Sequence, residues 1–207
     1  MDPRVKPGGD DSEMPLTVTT WNINSVRLRI DLVAKFIKSV RPDVLCLQET
    51  KCPDDAFPLK RFKRLGYEHV AINGQKGYHG VAVISRHPFE SFRFDNFCGK
   101  TDCRHMSVVL GERAGLRDPV TLHNFYVPAG GRVDTMRVLT PEPEKLYTWW
   151  SYRAMENWRI SDRGRRLDHV WTSDAIAGQV SSIKIAKDYR GHERPSDHVP
   201  VTAKIEI

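Results

Sequence analysis

Apolar positions along this chain change period several times, and the changes mark out its elements. Leu16 to Trp21 has strand composition and ends in the polar run Asn22-Ile23-Asn24. Val26, Ile30, Val33, Ile37 and Val40 then recur at helical spacing, and Pro42 closes that helix. Val44-Leu45-Cys46-Leu47 is a short unbroken apolar run, which predicts a strand buried on both faces and delivers Gln48-Glu49 at its end. A second helix is expected around Leu59 to Leu65. Strand-like runs follow at Tyr67–Ile72, Gly80–Ser85, Arg104–Leu110, Val120–Val127, Leu167–Thr172, Val180–Ile185 and Val199–Ile207. Many strands with few helices between them argue for an α+β layered sandwich and against a doubly wound sheet.

Length and composition narrow this further. A chain of 207 residues with 40% hydrophobic and 28% charged residues suits one soluble domain with a sizeable core. Met1 to Glu13 is rich in Pro, Gly and charge and is expected to be a disordered tail, with one ordered domain over 14–207. That tail lacks the apolar region of a secretory signal, and no apolar run is long enough to cross a bilayer. The four cysteines form no CxxC pair, so a metal knuckle or disulfide framework is not expected and a reducing cytoplasm is the default.

A net charge of +6 suits a polyanionic partner, yet charge alone weighs evenly between nucleic acid and a merely basic protein. Basic residues cluster at Lys60-Arg61-Lys63-Arg64, Arg159-Arg163-Arg165-Arg166 and Lys184-Lys187-Arg190-Arg194. Tyr147, Trp149, Trp150, Tyr152 and Trp158 lie beside the second cluster. Rings among cations suit stacking on an unpaired nucleic acid. The competing account places most of those rings in the core.

Chemistry gathers where strand-like runs end. Asn22 follows the first, Glu49 the second, Asp168 lies in Arg166-Leu167-Asp168-His169-Val170, and Asp197-His198 precede the last. Glu, Asp and Asn together form an all-oxygen set that suits Mg²⁺ or Mn²⁺, whereas thiolates and imidazoles would suit zinc. A carboxylate beside a histidine fixes its tautomer and stabilises its charged form. Any one of these carboxylates alone is better explained as a cap or turn residue; their joint placement at strand ends is harder to obtain by accident. Tyr126, in Asn124-Phe125-Tyr126-Val127-Pro128, either offers its hydroxyl to a phosphate or is a sheet tyrosine with an exposed tip.

Taken in order, seven segments resemble the exonuclease III family of apurinic/apyrimidinic endonucleases. They are Thr20–Arg27 (TWNINSVR), Leu47–Lys51 (LQETK), Gly74–Ala82 (GQKGYHGVA), Asn124–Pro128 (NFYVP), Thr148–Arg153 (TWWSYR), Arg166–Asp168 (RLD) and Ser196–Pro200 (SDHVP). The resemblance covers nearly everything from Leu16 onward. It implies a four-layered α/β sandwich of two packed sheets flanked by helices, and Mg²⁺- or Mn²⁺-dependent phosphodiester hydrolysis. The substrate it implies is duplex DNA, cut 5′ to abasic sites and trimmed 3′→5′. By position, Glu49 would be the principal metal ligand, with Asn22 and Asp197 contributing. His198 would face the scissile phosphate, oriented by Asp168, and Tyr126 would support the phosphate or leaving group. Trp149 and Leu167 match the lining of a pocket for a base-less sugar, and Lys76, Arg104 and Arg153 match backbone contacts.

One family motif is missing. Gly-Asp-x-Asn, expected between the segments of Tyr126 and Trp149, occurs nowhere in this chain; Val127–Gly131 runs directly into Arg132-Val133-Asp134-Thr135. The implied deletion, at about 131/132, would remove a central strand, an associated helix and the aspartate that handles the attacking water's proton. Losing one member of a group that acts together can remove most of the rate. Three functions remain open at this level: an impaired nuclease, a non-catalytic DNA-binding remnant, and a phosphoesterase acting on another substrate such as an inositol phosphate or phospholipid. Gln75-Lys76-Gly77 and Trp149–Arg153 favour the DNA branch.

Overall fold

The computed structural model describes residues 15–96, 102–126, 144–154 and 158–207, with 133, 134, 136, 139 and 140 between them. Its larger sheet has six strands in the order β10-β11-β1-β2-β4-β3. These are β1 (Leu16–Asn22), β2 (Val44–Gln48), β3 (His69–Asn73), β4 (Val81–Ser85), β10 (Val180–Ile185) and β11 (Val201–Ile205). β1 and β2 run parallel and every other pairing is antiparallel. All five residues of β2 and all five of β4 are buried. Their unbroken apolar sequence follows from cover on both faces, as expected for central strands.

On one face lies α1 (Ile30–Val40), with the short α2 (Leu59–Lys63) beside it. Val33, Phe36 and Ile37 of α1 and Phe62 of α2 pack on Trp21, Leu45, Leu47 and Ile84. On the other face Val44, Cys46, Val81 and Val83 meet Met106, Val108 and Leu110 of a second layer. That layer is a three-stranded sheet, β5 (Ser91–Arg93), β6 (His105–Leu110) and β7 (Val120–Phe125). A two-stranded piece pairs β8 (Val133–Asp134) with β9 (Trp171–Thr172). Among the described residues the two pieces share no strand pairing.

The α+β sandwich is as the sequence indicates, with local differences. α1 begins at Ile30 rather than near Val26, because the preceding loop spends its backbone donors elsewhere. Ile23 N–H donates to Gln48 O (3.0 Å), Ser25 N–H to Glu49 O (2.7 Å) and Val26 N–H to Thr50 O (3.1 Å). The run Leu167–Thr172 is a strand only at Trp171–Thr172. Upstream of it, Leu167 and Asp168 give their N–H groups to the Thr148 hydroxyl (3.1 and 3.0 Å) instead of a strand partner. β5 was not foreseen; its three residues are exposed and carry no apolar alternation. The expected tail over 1–13 and the inferred junction at about 131/132 lie outside the described residues. No helix among those described is long and apolar enough to cross a membrane.

Behind the strand ends, two buried amides join the layers. Gln48 donates Nε2–H to the Thr20 hydroxyl (2.9 Å) and to Asn124 Oδ1 (2.7 Å). Asn124 on β7 returns Nδ2–H bonds to Leu47 O and Ala82 O, both at 3.0 Å. Burying these amides is tolerable only because they are satisfied this fully. Asn124→Leu takes one acceptor from the Gln48 amide and removes the side-chain donor to the Leu47 and Ala82 carbonyls. It is therefore expected to cost about 2–3 kcal/mol of stability, measured as a lower urea midpoint at unchanged m-value.

Candidate active site

The ends of β1 and β2 bring the first acids and amides together. Asn22, 4% exposed, donates Nδ2–H to Glu49 Oε1 at 2.8 Å. Lys51 Nζ lies 2.8 Å from Glu49 Oε2 and 2.6 Å from Asn24 Oδ1. The backbone bends sharply to allow this, with φ of 47° at Asn24, 83° at Ser25, 50° at Glu49 and 52° at Lys51. Left-handed conformations at non-glycine residues are costly, and they collect where surrounding bonds hold them. Here Thr50 N–H donates to Gly80 O and Lys51 N–H to His79 O, at 3.1 and 3.0 Å. Gly80 itself has φ +85°, and a Cβ there would lie 2.2 Å from the Thr50 hydroxyl oxygen. Only glycine lets the loop approach so closely.

Opposite stands the segment before β11. His198 Nδ1 is 2.8 Å from Asp168 Oδ2, with side chains only 12% and 7% exposed. A carboxylate accepts at that distance, so Nδ1 carries the proton and Nε2 is left for a ligand. Burial pushes the His198 pKa down, but the charge and hydrogen bond of Asp168, with the fields of Asp197 and Glu49, outweigh it and hold it above the usual value. Asp197 accepts from Trp149 Nε1–H at 2.9 Å and from Asn24 Nδ2–H at 3.1 Å. Asn24 thus touches both halves of the site.

Burial raises Glu49, while hydrogen bonds with Asn22, Lys51 and Tyr126 and the Lys51 charge bring it below the usual carboxylate range. Tyr126 is pushed up to about 12 by burial and by its hydrogen bond with Glu49. It therefore stays a neutral O–H donor at physiological pH. Arg104 stacks on the Tyr126 ring at 5.5 Å and is held by Asp102 at 2.6 Å.

Asn22, Glu49, Tyr126, Asp168, Asp197, His198 and Trp149 are therefore one neighbourhood, with Arg104 at its edge. Leu167 is 48% exposed next to Asp168. Lys76 and Arg153 are exposed and stand outside the hydrogen-bonded group. Trp150 and Trp158 are core residues, at 1% and 9% exposure, and Arg190 is buried at 1%, so the basic-aromatic surface is smaller than the sequence suggested. Asn24, Lys51, Thr148 and Tyr152 belong to the site although their sequence motifs assigned them no role; only their partners in space do so.

The donor set fits a hard divalent cation. Two carboxylates and two amides supply oxygen, and an ammonium already rests between Glu49 Oε2 and Asn24 Oδ1. Among the described residues no group of three or more His, Cys, Asp or Glu side chains is gathered to hold a metal. The set is therefore lean in charge.

The raised His198 pKa has a measurable consequence for stability. The His198–Asp168 pair contributes fully below the unfolded histidine's value near 6.5, and the contribution is lost as pH rises through the higher folded value. Asp168→Asn should bring the His198 titration, followed by ring proton NMR in metal-free protein, down toward or below the free value. It should also flatten the pH dependence of stability above pH ~6.5.

A sequence profile of the Endonuclease/Exonuclease/phosphatase family matches residues 19–144. Exodeoxyribonuclease III of Haemophilus influenzae is 23% identical over 267 residues, covering 90% of this chain and 98% of its own. Among solved structures, an AP endonuclease from Archaeoglobus fulgidus superposes with a TM-score of 0.82 at 23% identity, covering 93% of this chain and all of its own. A 3′ phosphatase from Neisseria, bound to product DNA hairpin, gives 0.81 at 24%, again over 93% of this chain and 100% of its own. The profile takes in more than half of the chain, including Asn22, Glu49 and Tyr126. The chain belongs to the Endonuclease/Exonuclease/phosphatase family.

Proposed function

We propose that this chain is a DNA repair nuclease of exodeoxyribonuclease III type, hydrolysing phosphodiesters with Mg²⁺ or Mn²⁺. Its substrate is duplex DNA, incised 5′ to abasic sites and trimmed from 3′ ends, and its place of work is the cytoplasm. The single observation that carries the reading is His198, with Nδ1 tied to buried Asp168 at 2.8 Å, standing within the field of Glu49. A histidine so held, in the charged form that Asp168 favours, offers a proton at Nε2 to a phosphoryl oxygen.

The remaining roles follow from chemistry. Glu49, with Asn22 and Asp197, would hold the divalent ion, which when bound draws charge from a phosphate oxygen. His198 donates from Nε2 to a phosphate oxygen, and Asp168 fixes the ring that does so. Tyr126, neutral and donating to Glu49 in this structure, would turn its hydroxyl proton to the phosphate or leaving oxygen once that carboxylate takes the metal. Trp149 and Leu167 line the space for a sugar without a base. Arg104, Lys76 and Arg153 contact the backbone, which makes binding depend on salt.

A second reading, a DNA binder without catalysis, is favoured by one feature. Gly-Asp-x-Asn is absent from the sequence, and with it an acid that would handle the water's proton. An internal deletion at about 131/132 accounts for that absence. It also agrees with an alignment to the Haemophilus protein that runs over 267 positions, more than the 207 of this chain.

Purified protein with Mg²⁺ and an abasic-site duplex separates these readings. Slow, EDTA-sensitive incision is the expected result, reduced about a hundredfold or more by Glu49→Gln and by His198→Asn. Salt-dependent retardation of the duplex with no incision at large enzyme excess would select the binding-only reading. Failure to retard DNA even at low salt would remove both.

A further inference from the structure

Two buried arginines meet at one tyrosine, Arg29 at its hydroxyl and Arg190 at its ring face, and the chemistry above uses neither contact. Tyr152 Oη accepts from Arg29 Nη2 at 2.8 Å and from Asn24 Nδ2 at 3.2 Å, and donates to Pro195 O at 3.1 Å. Its two lone pairs and its one proton are all engaged, so its direction is fixed. Arg190, 1% exposed, lies over the Tyr152 ring at 5.2 Å and donates to Trp150 O and Ser151 O. Arg29, 8% exposed, also binds Arg194 O, Ile23 O and Asn24 O. The ring is thus clamped by a guanidinium on its face, and the hydroxyl is clamped at its tip.

Asn24 carries that order into the site. The same Nδ2 that reaches Tyr152 also donates to Asp197 Oδ1 at 3.1 Å, while Oδ1 accepts Lys51 Nζ, which pairs with Glu49. We infer that the Tyr152 hydroxyl is a positioning group which, through Asn24, holds the Asp197 and Glu49 carboxylates as one cation-facing pair. A donor shared between a carboxylate and a fixed hydroxyl points one way; without the hydroxyl, the Asn24 amide is held only by Asp197 and Lys51 and can swing toward water. The bond to Asp197 then weakens, and the distance between the two carboxylates is less firmly set.

The functional consequence rests on the nuclease reading, but the geometric content does not, and the measurements keep them apart. In metal-free protein, hydrogen exchange of the Trp149 indole N–H reports on Asp197, which accepts it at 2.9 Å. Tyr152→Phe keeps the ring under Arg190 and removes only the hydroxyl. It should speed that exchange by about tenfold and weaken Mn²⁺ binding, followed by paramagnetic relaxation, by roughly three- to tenfold. Asn24→Gly, which tolerates the positive φ and removes the bonds to Asp197 and Lys51 as well, should do at least as much. The double variant should be no worse than Asn24→Gly alone, because the Tyr152 hydroxyl acts only through that amide. The urea midpoint of Tyr152→Phe should fall far less than those changes imply for a general loosening. Unchanged indole exchange in Tyr152→Phe, or additive effects in the double variant, would overturn the inference. If the wild-type protein cuts no DNA or binds no Mn²⁺, the nuclease reading fails and the exchange comparison still decides this one.

Discussion

The constraint on which the rest depends is the parallel pairing of β1 with β2 and what happens where it stops. Thr20 faces Cys46 and Asn22 faces Gln48 in register, and the ladder then continues through loop backbone, from Ile23 to Gln48 and from Ser25 to Glu49. Two loops zipped together this way cannot relax independently. That is why Asn24, Ser25, Glu49 and Lys51 can all be held at positive φ, each at a cost of about 1–3 kcal/mol elsewhere repaid by bonding. The reward is local: two amides, a carboxylate and an ammonium are hydrogen-bonded together at one sheet edge.

Polar groups buried behind that edge share a second property. Gln48 and Asn124 satisfy each other and three further acceptors, and so fix β7, and hence Tyr126, against the end of β2. Arg29 and Arg190 are buried on carbonyl oxygens and on Tyr152. Buried guanidiniums are costly without compensation, and Asp197 lies within the electrostatic reach of Arg190. Positive charge packed behind an acid, in a loop that also holds His198, favours an anion at the mouth. It also explains why part of the basic character in the sequence does not reach the surface.

The three-stranded second sheet bears on the same edge. β6 and β7 close the core over β2 and β4, so Tyr126 reaches Glu49 although the neighbouring β8–β9 pair is separate. On the other side Trp149 bridges to both Arg165 and His198, and Thr148 holds the backbone of Asp168. The acid–imidazole pair is therefore positioned by the large sheet and by the Thr148 segment. Among the described residues it does not draw on pairing between the two smaller sheets.

The sequence by itself determined the strands and helices of strong period, because burial on one or two faces writes itself directly into apolar spacing. It also determined, through seven ordered motifs, the family and the residues at the strand ends. It could not determine where α1 starts, since that depends on loop donors finding Gln48, Glu49 and Thr50 across a gap of over twenty residues. Nor could it say that Arg190, Trp150 and Trp158 are buried while Lys76 and Arg153 are exposed, because a charge or a ring reads the same in either place. Asn24, Lys51 and Tyr152 stood inside recognised motifs without a role. Only the tertiary structure gave them one: a hydrogen bond depends on position in space, and residues 24, 51, 152 and 197 become neighbours only when the sheets close.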